Sequence, residues 1–242
     1  MEAAVDGLER FVRANGDTGK AELVAAVPKR VLSMDVDEDD KYSYCGPAVR
    51  DGALFVVFRP DRFYVNLDEG IDPDKLVEAL SAASKAGVSP TTKMSIAKHY
   101  EPKAEALRAA VAAAVNVPDL KIVPNFEANA AKMKAAKEAG VSVRADWEQA
   151  LPRATVDYFD DLARMLKSHK FPSDDLLQEA FADVVSEKEV VLRAVDELKQ
   201  PRSKCESSFE DGRLYISFTP KSFWANVSEA GSMIVDRLNE VA

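Results

Sequence analysis

The sequence predicts an α+β protein built from two equivalent units, each a β-hairpin packed against helices, with a helical insertion between them. Three observations carry that reading. Residues 41–69 match residues 201–229 at a constant offset of 160 without a gap, and ten of the 29 positions are identical. About two would be expected between unrelated segments. The identical pairs are Ser43/Ser203, Cys45/Cys205, Asp51/Asp211, Gly52/Gly212, Leu54/Leu214, Phe58/Phe218, Pro60/Pro220, Phe63/Phe223, Asn66/Asn226 and Glu69/Glu229. Second, each copy sets Asp-Gly between extended apolar runs, a tight-turn signal in which glycine supplies positive φ. Third, residues 83–160 have no counterpart and are Ala-rich with helical spacing. The resulting division is 1–83, first α+β unit; 84–160, helical insertion or connector; 161–242, second α+β unit.

Taken in order, Thr18 can cap a helix over Ala21–Val27, and the acidic run Asp35–Asp40 follows as a loop. Asp51-Gly52 and Asp211-Gly212 each close a hairpin whose second strands are Leu54–Phe58 and Leu214–Phe218. In those strands Leu54, Val56 and Phe58, and likewise Leu214, Ile216 and Phe218, share one face by the two-residue period. Asp72-Pro73 then starts a helix through Leu76 and Leu80. The insertion reads as helices over Pro90–His99, Glu101–Val115, Asn125–Gly140 and from Asp146 onward, with Ser89 and Asn125 at cap positions. Leu120–Val123 is a short apolar run with strand character. Ser173 can cap a helix over Asp174–Val185, and Val190, Val191, Ala194 and Leu198 suggest another over Ser186–Leu198. Thr219 suits an N-cap and Pro220 the first helical position. Phe223, Val227, Ala230, Ile234 and Leu238 continue at three- and four-residue spacing as one amphipathic helix. A lone hairpin is marginal. The two are therefore expected to pair or stack about a pseudo-twofold, burying Leu54, Phe58, Leu214 and Phe218.

Composition restricts the function. With 32 basic against 41 acidic residues the net charge is −9, which argues against nucleic acid and anionic membrane surfaces as partners. No stretch approaches the roughly 18 apolar residues of a membrane span. The opening residues lack the basic and apolar regions of a secretory signal. Two cysteines make no disulfide framework, so a cytoplasmic, reducing setting is expected.

The candidate sites are few. Cys45 and Cys205 occupy equivalent places, with no histidine nearby to activate them, and read as buried thiols. Phe-x-Pro-x-x-Phe-aromatic-x-Asn occurs at Phe58–Asn66 and Phe218–Asn226. Phe63 and Phe223 should enter the core, while Asn66 and Asn226 bond local backbone at a strand-to-helix corner. Tyr64 and Trp224, one residue on, point elsewhere and are the candidate binding anchors. Asp35–Asp40 superficially resembles a calcium loop, but Asp40 stands at the sixth position where glycine is needed. Gly16–Lys20 lacks the first glycine and the Ser/Thr of a phosphate loop. His99 and His169 have no metal-spaced partners. Lys132, Lys134 and Lys137 form a solvated helix face, and the adjacent Asp160/Asp161 and Asp174/Asp175 cannot face each other on a helix.

No catalytic residue, metal or cofactor is assigned, and the balance leans away from an enzyme. The expected function is a non-catalytic soluble binding or assembly protein, engaging a protein partner or itself through a composite face that includes Tyr64 and Trp224. The alternative is a small-molecule carrier or sensor, or an enzyme lacking a local motif, with its site in the cleft between the repeats.

Overall fold

Asp51-Gly52 and Asp211-Gly212 turn the chain in left-handed backbone, with φ of 48° and 74° in the first turn and 51° and 70° in the second. The computed structural model describes residues 2–63, 65–66, 70–84 and 87–241. They divide into two compact units, Met1–Ala97 and Lys98–Ala242, and the fold is mixed α+β.

The first unit opens with α1 (Glu2–Ala26), kinked at Gly16, whose φ of 57° is non-helical. It continues through β1 (Leu32–Val36), β2 (Cys45–Arg50), β3 (Ala53–Phe58), α2 (Pro73–Ala83) and α3 (Pro90–Ser95). The strand order is β1-β3-β2. The hairpin β2–β3 is antiparallel, from Cys45 opposite Phe58 to Arg50 opposite Ala53, while β1 lies parallel to β3 with Leu32 opposite Leu54. Phe11, Ile71, Leu76 and Leu80 are fully buried and pack with Leu54 and Val56 against the sheet. Asp72 caps α2 by accepting from the N–H of Asp74 and Lys75, and Ser89 caps α3 through Thr92.

The second unit runs α4 (Glu101–Val115), β4 (Lys121–Val123), α5 (Phe126–Glu138), α6 (Trp147–Ser168), α7 (Asp175–Val184), β5 (Glu189–Ala194), β6 (Cys205–Glu210), β7 (Arg213–Phe218), α8 (Glu229–Ser232) and α9 (Ile234–Asn239). Its strand order is β4-β5-β7-β6. The hairpin β6–β7 has the register of β2–β3 shifted by 160, Cys205 lying opposite Phe218. The parallel strands β1 and β5 correspond at an offset of 158, since Val190 faces Leu214 as Leu32 faces Leu54. Flanking bonds agree: Lys29 N–H to Gly52 O at 3.1 Å and Glu187 N–H to Gly212 O at 3.0 Å, then Asp37 N–H to Phe58 O and Val195 N–H to Phe218 O, both at 2.8 Å.

Several expectations need correction. Ser186–Leu198 is not a helix but contains β5. Its Val190, Val191 and Leu192 are all buried, because β4 and β7 flank the strand and both faces are covered, which removes the alternation that marks a strand. Each hairpin obtains its third strand from its own unit, so the expected pairing of the two hairpins into one sheet is not how they are completed. The Asp35–Asp40 run is not all loop, since Asp35 and Val36 belong to β1. The cap of α7 is Asp174 rather than Ser173, its carboxylate accepting from Leu177 N–H. The single helix expected after Pro220 is instead a short 3-10 turn over Pro220–Ser222, followed by α8 and α9. It breaks because Trp224 and Asn226 adopt φ of 62° and 47°. The apolar row survives the break, with Phe223, Ala230, Ile234 and Leu238 all buried. Leu54, Leu214 and Phe218 are buried as expected, but Phe58 is only partly so.

Candidate functional site

The corner after β7 is shaped by local chemistry. Thr219 and Ser222 form a reciprocal capping box, with Pro220 at the first position of the 3-10 turn, so the N–H groups of Thr219 and Ser222 are satisfied. Downstream, the Cys205 thiol donates to Asn226 O at 3.2 Å, and the Cys45 thiol makes the same bond to Asn66 O at 3.1 Å. Both asparagines are left-handed, with φ of 54° at Asn66 and 47° at Asn226. The equivalent cysteines therefore hold the corner backbone in both units. Burial pushes the Cys205 thiol up to about 11, which keeps it protonated and able to donate. The Asn226 side chain, expected from sequence to bond local backbone, instead donates to Glu229 Oε1 at 2.7 Å. Glu229 in turn accepts from Lys204 N–H at 2.6 Å.

Trp224 is half-buried at this corner. Its indole N–H donates to Asp157 Oδ2 at 2.8 Å, its backbone N–H donates to Tyr158 Oη at 3.2 Å, and the Arg144 guanidinium lies 4.8 Å from the ring centroid. Arg144 is itself held by Asp146, one bond measuring 3.0 Å. A bulky residue at positive φ is an outlier that persists only where its surroundings over-determine it. Here α6 supplies both hydrogen-bond partners. Tyr64, the equivalent residue in the first unit, lies outside the described residues.

The neighbouring phenylalanines differ between the units. Phe223 is buried, whereas Phe63 is 45% exposed, which corrects the expectation that both enter the core. The reason is the wall each one meets. Phe218 is stacked on Tyr158 of α6 at 5.6 Å, and Phe223 closes on Phe218 at 5.5 Å. Phe63 has an edge contact at 4.5 Å with Phe58, which is itself only partly buried.

Several of the remaining candidates have local partners. Asp37 Oδ2 accepts from Tyr42 N–H at 2.7 Å, Asp35 pairs with Arg50 at 3.0 Å, and Asp40 lies 3.6 Å from Arg59. His99 bonds Arg153 at 2.9 Å; burial first, then that guanidinium, lowers its affinity for protons. His169 Nε2 is buried without a hydrogen-bond partner. Lys132 bonds Asp196 on the loop after β5. Among the described residues, no three His, Cys, Asp or Glu side chains converge on a metal position, and no helix is long and apolar enough to cross a membrane. Every described carboxylate with a shifted proton affinity is shifted down, the largest being Glu210, drawn to about 2 by its bond to Arg193.

One arrangement had no signal in the sequence reading. Asn129 on α5 is 1% exposed. Its carboxamide donates to Pro124 O at 2.9 Å and Leu192 O at 3.1 Å and accepts from Ala194 N–H at 2.7 Å. It continues along β5 the edge that β4 begins, standing in for the backbone of a longer strand. The same segment carries an ion pair from Asp119 to Lys188 at 2.7 Å.

The fold and corners define a two-unit α+β scaffold with aromatic groups held at its surface. No family model matches the chain, and no curated protein or solved structure matches it either.

Proposed function

We propose that this chain is a non-catalytic binding or assembly protein that engages a protein partner through surfaces carried on its two α+β units. The observation that carries the reading is Trp224. It is a half-exposed indole in left-handed backbone, fixed at three points by Asp157, Tyr158 and Arg144. An aromatic pre-organised in this way loses little freedom on binding and suits an interaction anchor. Phe63, exposed at the corresponding corner of the first unit, adds a second anchor. The downward shifts of the carboxylates come from local ion pairs and, at Glu229, first from the backbone N–H of Lys204, unlike the raised carboxyls that serve acid–base chemistry.

Native mass spectrometry of the chain gently isolated from its own cells, beside the recombinant chain, tests the reading. A discrete protein partner or fixed oligomer that Trp224→Ala releases is the expected result. A retained small molecule of a few hundred daltons with no protein partner would overturn it in favour of a carrier.

A further inference from the structure

The two parallel strands β1 and β5 correspond residue for residue, but their outer edges are completed differently. On β1, Val31 O accepts from Leu54 N–H and Asp37 N–H donates to Phe58 O. In a parallel ladder alternate residues face alternate sides, so Arg30, Leu32, Met34 and Val36 direct their backbone groups outward. The corresponding residues of the second unit are Lys188, Val190, Leu192 and Ala194. There the outward groups are paired: Lys188 O accepts from Lys121 N–H at 2.8 Å, β4 runs beside Val190 and Val191, and Asn129 takes Leu192 O and Ala194 N–H.

In the first unit one of these groups is closed from within, Val36 N–H donating to Asp35 Oδ1 at 2.8 Å. Among the described residues no strand pairs with the outer edge of β1. What stays open is the stretch from Arg30 O through Leu32 to Met34, the length that β4 covers in the second unit. Val31 and Met34 on this stretch are 46% and 47% exposed. Arg30 has the position and the left-handed backbone of Lys188, with φ of 54° and 53°. Lys188 holds Asp119, the residue two before β4, whereas Arg30 is exposed and makes no ion pair among the described residues.

We propose that the outer edge of β1 binds an extended segment of a partner protein as an added parallel strand. The segment carries an acidic residue followed, three and four positions on, by β-branched residues, as Asp119 is followed by Ile122 and Val123. Backbone pairing along Leu32 supplies the affinity, and the acidic residue at Arg30 sets register and direction. This deepens the binding reading above, on which its biological use rests, but it does not depend on Trp224.

The probe is the capped peptide of residues 118–125 (Pro-Asp-Leu-Lys-Ile-Val-Pro-Asn), titrated into the full chain by calorimetry. Saturable one-to-one binding is expected. Arg30→Glu should weaken it about tenfold, and a peptide carrying Asp119→Lys should bind Arg30→Glu better than it binds the parent. Met34→Pro removes an outward N–H that β3 does not use, so the thermal melt should hold while peptide binding is lost. Trp224→Ala should leave peptide binding unchanged, which separates failure of this surface from failure of the corner reading. Binding that survives both Met34→Pro and Arg30→Glu would put the peptide elsewhere, β5 included, and overturn the proposal. Absence of saturable binding to the parent would overturn it too. So would a dimer of the parent that Met34→Pro dissociates, which would seat a second copy on the edge.

Discussion

Asn129 is where a single side chain replaces strand backbone, and its removal should be costly. Asn129→Ala deletes three hydrogen bonds of a side chain that is 1% exposed. It leaves Leu192 C=O and Ala194 N–H facing the gap, with the Leu192 side chain fully buried. An unsatisfied buried backbone group costs roughly 1–3 kcal/mol, and water entering the vacated space would recover part of that. The expected loss is roughly 2–5 kcal/mol. Asn129→Asp keeps the acceptor for Ala194 N–H but turns an anionic oxygen towards Leu192 O and Pro124 O. It should cost at least as much at neutral pH and recover as the carboxyl protonates in acid, where it can again donate. Both tryptophans, Trp147 and Trp224, lie in the second unit, so tryptophan fluorescence during urea unfolding follows the unit that contains Asn129. Lys132→Ala, on the same helix, removes an ion pair to Asp196, which is 84% exposed, and should cost less than about 1 kcal/mol. An Asn129→Ala variant within about 0.5 kcal/mol of the parent would refute the account of this carboxamide as the continuation of β4.

Three further outcomes follow from the packing. Phe218→Ala should cost roughly 3–5 kcal/mol and Leu54→Ala roughly 2–5 kcal/mol, since both side chains are buried in the sheets; parent-like urea midpoints would refute the core assignment. Gly212→Ala should destabilise more than Gly140→Ala. Both have positive φ, but a Cβ at Gly212 meets Ser186 Oγ at 2.5 Å while one at Gly140 meets nothing within 4 Å; equal thermal melts would remove the steric argument. The Cys205 thiol, raised from 9.0 to about 11, stays protonated in the fold after the unfolded chain has ionised. Stability should therefore be intact below about pH 9 and fall between about pH 9 and 11 by roughly 1–3 kcal/mol. Cys205→Ala should flatten that slope, and an unchanged slope would assign it to other groups.

The hairpins were legible because their signals are local: Asp-Gly supplies the turn and the two-residue period of Leu54–Phe58 supplies the buried face. The helices of residues 84–160 were legible for the same reason, since Ser89 caps its helix and alanine richness favours helix in the others. The third strands were not, for two different reasons. In β5, burial on both faces produces the run Val190-Val191-Leu192, whose spacing to Ala194 imitates a helix. In β1, Leu32, Met34 and Val36 do alternate with Ser33 and Asp35, but five residues running into Asp37–Asp40 read equally as loop. The break at Trp224 was hidden because burial of Phe223, Ala230, Ile234 and Leu238 satisfies a helical pattern whether or not the helix is continuous. Asn129 had no signal at all, because its two partners in β5 are 63 and 65 residues away and only Pro124 O is local.

Each sheet carries a cross-strand charge pair at corresponding positions. Asp35 and Arg193 hold corresponding positions, one opposite Val57 and the other opposite Ser217. Asp35 pairs with Arg50 at 3.0 Å, and Arg193 pairs with Glu210, the equivalent of Arg50, also at 3.0 Å. The signs are reversed while the geometry is kept, so the same strand register accommodates the opposed pair in either orientation. The consequences differ because a guanidinium has donors to spare and a carboxylate has acceptors. Arg193 spends its donors inward on Ser217, Ser208 and Glu210 and lies 3.9 Å from the Tyr215 ring centroid, locking the face of its sheet. Asp35 has one oxygen left after Arg50 and gives it to Val36 N–H, closing the end of β1 but leaving Leu32 and Met34 open. The corresponding pairs thus leave different groups satisfied: in the second unit the donors of Arg193 are spent within its own sheet, while in the first Asp35 closes Val36 N–H and the edge at Leu32 and Met34 stays open.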